Sequence, residues 1–339
     1  MNTGVADELE TVTPPRTGGA EKKIAIFAAK LVVTGVCFWY VFKQVDPTQT
    51  LSGIARLDVR WAAFATFIVM LQIPLVALRW RNVLRGLAAC DERMTRAAMI
   101  AITAIGFFFA QVLPSVASEG VRAWLLVRLG GTWRYSVTSL VIDRGVGVGL
   151  LITLGFGVLL LPSGLTTLGG YRVSVLIVYG ALLAAGLIGL LLAPLLVPYL
   201  ARWRYSRWAA NLVGDTERVL LGPRCPMIVG LGCLYHALTI VVVWSVARAQ
   251  GLTLTLPDAA ALFTIMVGIL LLVPISVSGW GLRELATVSL LRNYGVAPET
   301  ALLLSVCFGL VHAVGSLPGA LAWLVYSPSP ARRAVERRE

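Results

Sequence analysis

The amino-acid sequence predicts an all-α polytopic membrane protein with about six spanning helices and two re-entrant helical hairpins, arranged as an inverted-topology repeat. Three observations support this fold class: an apolar composition, an interrupted motif that occurs twice, and an uneven distribution of basic residues. Of the 339 residues, 58% are hydrophobic and 14% are charged, and the mean hydropathy is +0.81. Soluble domains carry about 25% charged residues, so the composition excludes a soluble domain.

The apolar segments fall into two length classes. A spanning helix needs about 20 apolar residues to cross a hydrocarbon core of about 30 Å. The segments of that length are 24–42, 61–80, 137–161, 173–200, 227–246 and 301–326. Two segments, 97–113 and 259–273, are shorter, and the short apolar stretches 123–129 and 285–291 follow them. About eight helical residues rise only about 12 Å, so each short pair predicts a hairpin that enters and leaves on one side.

The same short motif interrupts both hairpins. Residues 115–122 read SVASEGVR and residues 276–283 read SVSGWGLR, with serine, valine, glycine and arginine at matching positions. A proline precedes each copy, and both proline and glycine interrupt helices. The residues predicted to form the hairpins are Pro114, Gly120, Pro274, Gly279 and Gly281.

The basic residues favour the re-entrant topology over one in which the short segments span. Cytoplasmic loops of membrane proteins are enriched in lysine and arginine. With both hairpins re-entering and the N-terminus in the cytoplasm, most arginines and lysines fall on the cytoplasmic side. With both short segments spanning, the two sides carry nearly equal numbers. The re-entrant topology makes the second half start on the opposite face from the first, which is the inverted repeat of many transporters.

This topology divides the chain into three regions. Residues 1–23 are expected to be a disordered cytoplasmic N-terminus, and residues 327–339 a basic cytoplasmic tail. The membrane domain covers 24–326, with one half at about 24–165 and the other at about 171–326. Residues 201–221 predict an amphipathic helix on the cytoplasmic interface between the halves, with an ordinary loop as the alternative.

Charged residues in the two motifs are the main candidates for function. Ionisable groups at membrane depth cost roughly 2.5–3.5 kcal/mol each, so they are expected to face a polar cavity near the midplane. Glu119 and Arg122 lie about one helical turn apart and should pair. Arg283 and Glu284 are adjacent, so their side chains should diverge by about 100° and at least one needs another partner. Ser278 is a further candidate for the cavity lining.

Asp143, Arg144 and Trp280 complete the candidate set for this cavity. A cavity with arginines and half-helix N-termini would recognise an anionic head group. The alternative is that the charged residues are only ion pairs that hold the hairpins in place.

Asp143 and Arg144 lie side by side in an apolar segment, so each needs its own partner, either in a hairpin or in a packing bridge. Arg79 and Arg81 are interpreted as residues that snorkel to the interface, with contact to lipid phosphate as the alternative.

Other chemistries find little support in the sequence. His236 and His312 are interpreted as hydrogen-bonded core residues, with a proton relay as the alternative. With two histidines and no acidic cluster, the sequence predicts no metal site, no nucleophile–base set and no bound cofactor. The net charge is +12, but the arginines punctuate apolar segments, so nucleic-acid binding is not expected.

The runs at 77–84, 113–128, 139–147 and 273–286 resemble the flippase-like membrane domain of lysylphosphatidylglycerol synthases and its stand-alone relatives, over about residues 24–326. The most specific part is the second motif, from its proline to Arg283-Glu284. Because about a dozen residues follow the last apolar segment, the aminoacyl-transfer domain of the bifunctional members is expected to be absent. The first motif departs from the pattern at Ser118-Glu119, where a second glycine is expected.

The resemblance implies a lipid flippase-like transporter and no enzyme. Its substrate would be a phospholipid, an aminoacyl-lipid, or a lipid-linked or hopanoid-type lipid. The alternative is a non-transporting lipid-binding partner of a separate lipid-modifying enzyme. Membrane lipids are the expected partners, with a lipid-modifying enzyme or a second copy of the chain as further possibilities. The expected location is a bacterial inner membrane, with both termini in the cytoplasm.

Overall fold

The computed structural model describes Gly53 and residues 56–113, 115–161, 171–201, 207–272, 281–292 and 294–325. Within these ranges the regular structure is helical. The helices are α1 (Val59–Gly86), α2 (Arg96–Val112), α3 (Ser115–Arg128), α4 (Trp133–Leu160), α5 (Tyr171–Leu191), α6 (Ala193–Ala201), α7 (Arg207–Leu220), α8 (Cys225–Ala249), α9 (Leu256–Leu272), α10 (Leu282–Arg292), α11 (Pro298–Gly315) and α12 (Leu317–Val325).

Several predicted features lie outside the described residues. They are the N-terminus at 1–23, the first apolar segment at 24–42, the tail at 327–339, and Pro114, Pro274, Ser278, Gly279 and Trp280.

The polytopic helical fold is confirmed. Among the described residues, 5 candidate spans are long and apolar enough to cross a membrane. They are Val59–Gly86, Trp133–Leu160, Arg172–Leu191, Cys225–Ala249 and Pro298–Val325. The last of these is divided at Ser316 into α11 and α12. Helix α1 extends past the predicted end at residue 80, to Gly86; of the added residues, Arg81, Leu84 and Arg85 favour helix.

The first short helix pair differs from the prediction in one respect. Helix α2 begins after the N-cap Thr95, whose side chain accepts from the Ala98 N–H, and it ends at Val112. Helix α3 begins at Ser115, so the motif at 115–122 is helical, and Gly120 lies within α3. The prediction that Gly120 forms the turn is therefore wrong. A Cβ built on Gly120 meets nothing within 4 Å, so no close approach requires glycine there.

The second short pair requires its glycine. Gly281 precedes α10 with φ +82°, a conformation that L side chains rarely adopt. Its backbone N–H donates to Glu284 Oε2 at 2.6 Å, which satisfies one of the unpaired N–H groups at the helix start.

Helices α1 and α8 form an antiparallel pair. The backbone N–H of Asp58, just before α1, donates to the carbonyl oxygen of Ala249, at the end of α8, at 2.9 Å. At the other end, Val83 and Leu87 share a buried apolar cluster with Ile228, near the start of α8. The pair thus gives the bundle two distinct ends, called here the Asp58 end and the Gly86 end.

The pair α2–α3 leaves and rejoins the bundle at the Gly86 end. At the same end, helix α7 contacts the two spans that flank this pair, α1 and α4. Val219 packs against Gly86 of α1, and Asp215 lies 3.7 Å from Arg134, at the start of α4. Helix α7 covers Arg207–Leu220 of the predicted amphipathic connector at 201–221, and residues 202–206 lie outside the described part of the chain.

The pair α9–α10 belongs to the opposite end. Helix α9 follows the end of α8, which lies beside Asp58. Helix α11, which follows α10, begins at the same end, because Leu303 packs against Gly53 while Gly315 packs against Val69, further along α1. Two short pairs at opposite ends are what an inverted repeat requires. Their insertion into a membrane from two faces stays a prediction.

The packing neighbours of the two halves also correspond. In the first half α1 packs against α2 and α4, α2 packs against α3, and α3 packs against α4. In the second half α8 packs against α9 and α11, α9 against α10, and α10 against α11. Across the halves, α1 packs against α11 as α8 does against α4. The short pairs are thus held in equivalent surroundings.

A pair of glycine substitutions tests this packing and the helical state of the first motif. A Cβ on Gly319 of α12 would collide with the Ala104 backbone and lie 2.9 Å from Phe108 Cβ, so Gly319→Ala should destabilise the protein by about 1–3 kcal/mol. Gly120→Ala should stabilise it by roughly 0.5–1 kcal/mol, because alanine loses less entropy in a helix. Thermal unfolding of both variants in detergent is the measurement. A destabilised Gly120→Ala protein would contradict a helical motif.

Candidate functional site

Five charged residues meet where α1, α3 and α4 pack together. Helix α1 contributes Arg79, α3 contributes Glu119 and Arg122, and α4 contributes Asp143 and Arg144. We call these five residues the first charge cluster. Arg144 is about 16 Å along α4 from its first residue, which places the cluster well inside a span.

Arg79 and Asp143 form a two-point ion pair in the interior. Arg79 Nε donates to Asp143 Oδ1 at 2.8 Å, and Arg79 Nη2 donates to Oδ2 at 3.1 Å. Arg79 is 5% exposed and Asp143 is 1% exposed. The interpretation of Arg79 as a snorkelling residue is therefore wrong. Arg79 lies seven residues before the end of α1, and its side chain points into the bundle, because Asp143 of α4 lies opposite it.

Glu119 joins Arg122 and Arg144. Arg122 Nη1 donates to Glu119 Oε2 at 2.9 Å, as the spacing of one helical turn predicts. Arg144 donates to Glu119 Oε1 through Nε, at 2.8 Å, and through Nη2. The adjacent residues Asp143 and Arg144 thus have separate partners, one in α1 and one in the hairpin helix α3.

Arg122 packs against an aromatic ring and keeps part of its hydrogen-bonding capacity free. Its Cζ atom lies 4.4 Å from the centroid of the Trp80 ring, and the Trp80 indole N–H donates to Ser139 Oγ at 3.0 Å. Arg122 is 3% exposed, yet its Nε and Nη2 atoms have no hydrogen-bond partner in the described part of the chain. A Cβ on Gly106 would lie 2.5 Å from Arg122 Cγ and Cδ, so this glycine makes room for the arginine.

A histidine and a tyrosine of α8 adjoin the ion pair. His236 Nε2 lies 2.9 Å from the carbonyl oxygen of Gly147, and Arg79 Cζ lies 6.0 Å from the centroid of the Tyr235 ring. His312 in α11 lies 2.9 Å from the carbonyl oxygen of Phe308, through Nδ1. Each histidine thus has one ring nitrogen within hydrogen-bond distance of a backbone carbonyl, and His236 Nδ1 has no partner among the described residues. A proton relay stays a prediction.

The second charge cluster consists of Arg283 and Glu284 of α10 with Ser305 of α11. Arg283 Nη2 donates to Glu284 Oε1 at 2.7 Å, and Arg283 Nε donates to the same oxygen at 3.0 Å. Arg283 Nε also lies 3.1 Å from Ser305 Oγ, which donates to Glu284 Oε1 at 3.0 Å. The predicted divergence of the adjacent charges is wrong: both long side chains bend towards Ser305 and bond to each other.

The two clusters differ in net charge. The first contains three arginines and two carboxylates, so it has one positive charge in excess. In the second, one arginine balances one carboxylate, and Glu284 Oε2 also accepts from the Gly281 N–H. The first cluster is therefore the one whose excess positive charge could attract an anion. Whether both clusters line one midplane cavity stays a prediction.

The first cluster also reaches the molecular surface. The Arg144 side chain is 58% exposed and that of Glu119 is 18% exposed. The surface beside them is apolar, with Val116 at 81% and Val141 at 41% exposure. Exposed charged side chains with apolar neighbours suit a molecule that has both a charged and an apolar part.

Sequence reasoning missed the partners that surround Arg122. Trp80, Ser139 and Gly106 lie in other segments, and only Trp80 and Ser139 fall in the runs that carry the family resemblance. Metal chemistry gains no support, since the described residues contain no group of three or more His, Cys, Asp or Glu side chains that could hold an ion.

The fold and these clusters define a polytopic helical membrane protein with ion pairs buried between its spans. The family model of the lysylphosphatidylglycerol synthase TM region matches residues 27–319. The chain therefore belongs to this family of membrane domains, which confirms the resemblance seen in the sequence. No curated protein matches the chain.

Proposed function

We propose that this protein is a lipid flippase-like transporter that moves a polar or anionic lipid between the leaflets of a bacterial inner membrane. The observation that carries the proposal is the first charge cluster, with its excess positive charge among apolar spans and its exposed edge at Arg144. Membership of the family of the lysylphosphatidylglycerol synthase TM region supports a role in lipid handling.

The physical difficulty in moving a lipid across a bilayer is its head group. A charged group at the bilayer centre costs several kcal/mol, so a carrier must supply compensating charge there. Arg144 and Glu119 offer charge-assisted hydrogen bonds at an exposed position, while Val116 and Val141 border them. The head group would bind at Arg144 and Glu119, and the acyl chains would stay against the apolar surface.

The arrangement of the halves favours transport over simple binding. Transporters with inverted repeats expose a central site to one face and then to the other by rocking one half against the other. Here the short pairs lie at opposite ends of the α1–α8 pair and have corresponding neighbours. We propose that they admit the head group alternately from the two membrane faces, without a catalytic step.

A leaflet-exchange assay tests the proposal. The protein is reconstituted into vesicles that contain fluorescent phosphatidylglycerol, and dithionite is added outside to destroy the accessible label. Vesicles with the protein should lose nearly all of the label, whereas protein-free vesicles should lose only the outer-leaflet label. The assay is repeated with labelled phosphatidylethanolamine, lysylphosphatidylglycerol and a lipid-linked sugar. Protection of the inner-leaflet label for every lipid would rule out transport.

A non-transporting lipid-binding partner of a lipid-modifying enzyme is the second candidate. The neutral, fully paired second cluster favours it, because a protein that only presents a lipid needs one open site. In that case the protein should co-purify with an enzyme and should bind lipid without exchanging it between leaflets.

A further inference from the structure

One edge of the Arg122 guanidinium, formed by Nε and Nη2, has no hydrogen-bond partner among the described residues. We propose that Nε and Nη2 of Arg122 bind one phosphate group that carries a single negative charge, in the manner of a lipid phosphodiester. The proposal rests on the proposed function and deepens it, because it assigns the head-group contact to one hairpin and one chemical group.

The argument begins with the geometry of the guanidinium. Nε and Nη2 form the edge that matches two oxygens of a carboxylate or a phosphate. Arg79 uses this edge for Asp143, and Arg144 uses it for Glu119. Arg122 instead bonds to Glu119 through Nη1, and its Nε and Nη2 atoms stay without partners among the described residues.

Because Arg122 is buried, water cannot readily satisfy the two N–H groups of this free edge. Arg122 is 3% exposed, and an unpaired N–H of a buried cation carries a large desolvation cost. The nearby carboxylates are already engaged: Asp143 accepts two bonds from Arg79, and Glu119 accepts bonds from two arginines. A phosphate with one negative charge would satisfy both donors and neutralise the excess charge of the cluster.

The surroundings hold the guanidinium plane in place. The Trp80 ring lies against one face, with 4.4 Å between Arg122 Cζ and the ring centroid, and Ser139 fixes the ring through the indole N–H. Gly106 accommodates the aliphatic part of the side chain. The edge is thus oriented before the ligand arrives, which lowers the entropic cost of binding.

Glu119 bridges Arg122 and the exposed Arg144, because its carboxylate accepts from Arg122 Nη1 and from Arg144. Because Arg144 alone can hold the Glu119 carboxylate through two donors, Glu119 can release Arg122 Nη1 without becoming an unpaired charge. A head group that enters beside Arg144 could therefore take the place of Glu119 at Arg122, while Glu119 keeps its ion pair with Arg144.

The second hairpin does not offer the same site. Arg283 directs Nε and Nη2 at Glu284 and also contacts Ser305, so its edge is already in use. Arg122 and Arg283 occupy matching positions of the repeated motif, yet only the first has the free edge. The repeat is therefore asymmetric in ligand binding, with recognition in the first hairpin and a closed ion pair in the second.

A binding experiment tests the site. Dihexanoyl-phosphatidylglycerol is titrated into the purified full-length protein in detergent by calorimetry, with neutral dihexanoylglycerol and inorganic phosphate in parallel. Arg122→Lys keeps the charge but loses the edge, so it should weaken binding of the phospholipid by about tenfold or more. The matched control is Arg128→Lys, in the same helix, where Arg128 Cζ lies 5.0 Å from the Trp124 ring centroid. It should bind as the unmodified protein does.

A second variant displaces the Arg122 side chain without replacing Arg122. Gly106→Ala should push the Arg122 side chain aside and weaken phospholipid binding, whereas Gly120→Ala, with open space around it, should not. Unchanged affinity in both Arg122→Lys and Gly106→Ala would overturn the site. Inorganic phosphate that binds with the same dependence on Arg122 would keep the phosphate site and assign it to a soluble anion.

The binding and exchange assays can contradict the phosphate site and the transport proposal separately. If the unmodified protein binds the phospholipid through Arg122 but exchanges no lipid, the transport proposal fails and the site stands. If Arg122→Lys exchanges labelled lipid as fast as the unmodified protein and binds it equally well, the site fails and transport stands.

Discussion

Replacing Asp143 with alanine should unfold much of the protein, because Arg79 would keep its charge in the interior without a carboxylate. Arg79 donates two hydrogen bonds to Asp143, and both residues are buried. Removal of one partner from a buried ion pair costs roughly 3–5 kcal/mol. Thermal or denaturant unfolding in detergent should show this loss in Asp143→Ala.

A double substitution tests whether the stability lost in Asp143→Ala comes from the unpaired charge of Arg79 or from lost packing. The variant with Arg79→Met and Asp143→Leu has neither buried charge, so it should recover most of the stability lost in Asp143→Ala. The control is Arg134→Met: Arg134 is 56% exposed and lies 3.7 Å from Asp215, so its loss should cost about 0–1 kcal/mol. Equal stability of Asp143→Ala and Arg134→Met would contradict a buried, charged Arg79.

The elements that the sequence predicts well are those that depend on composition over many residues. The described spans appear where the apolar segments are long, because the hydrocarbon core demands a continuous apolar helix. The short pairs appear where the apolar segments are short, and the amphipathic connector is helical over Arg207–Leu220. Each of these follows from local hydropathy, which a single sequence contains.

Features that depend on individual side chains were harder to predict. Gly120 lies in a helix although glycine often ends one, since the surrounding residues tolerate helix and nothing packs closely on it. Arg79 resembles a residue that anchors the helix end, and only its position opposite Asp143 in the fold reveals a buried pair. The sequence indicates that Asp143 needs a partner, but it does not show that this partner is Arg79 of α1.

In the candidate site too, local spacing predicts some contacts, and others depend on how the helices pack. The spacing of Glu119 and Arg122 predicts their pairing, because three residues make nearly one helical turn. The adjacency of Arg283 and Glu284 predicts that their side chains diverge from each other around the helix. Long side chains can bend back, however, and Ser305 provides a common partner. The free edge of Arg122 depends on how neighbouring arginines use the two carboxylates, which spacing alone does not determine.

The two matching arginines of the motif should respond differently when each is replaced by methionine. Arg283→Met should destabilise the protein by roughly 3–5 kcal/mol, because Glu284, which is 0% exposed, would keep a buried charge without its cation. Addition of Glu284→Gln should restore part of that loss, since the amide is neutral. The unfolding transitions of the single and double variants in detergent measure both effects.

Arg122→Met should remain folded, because Glu119 still has Arg144 as its partner and no carboxylate is left alone. Leaflet exchange of labelled phosphatidylglycerol should nevertheless fall to the level of protein-free vesicles, since the head group would lose its contact in the first hairpin. A stable Arg283→Met protein together with normal exchange by Arg122→Met would show that neither role is correct. The opposite responses of two residues at one motif position would instead show that the second hairpin holds the fold while the first meets the lipid.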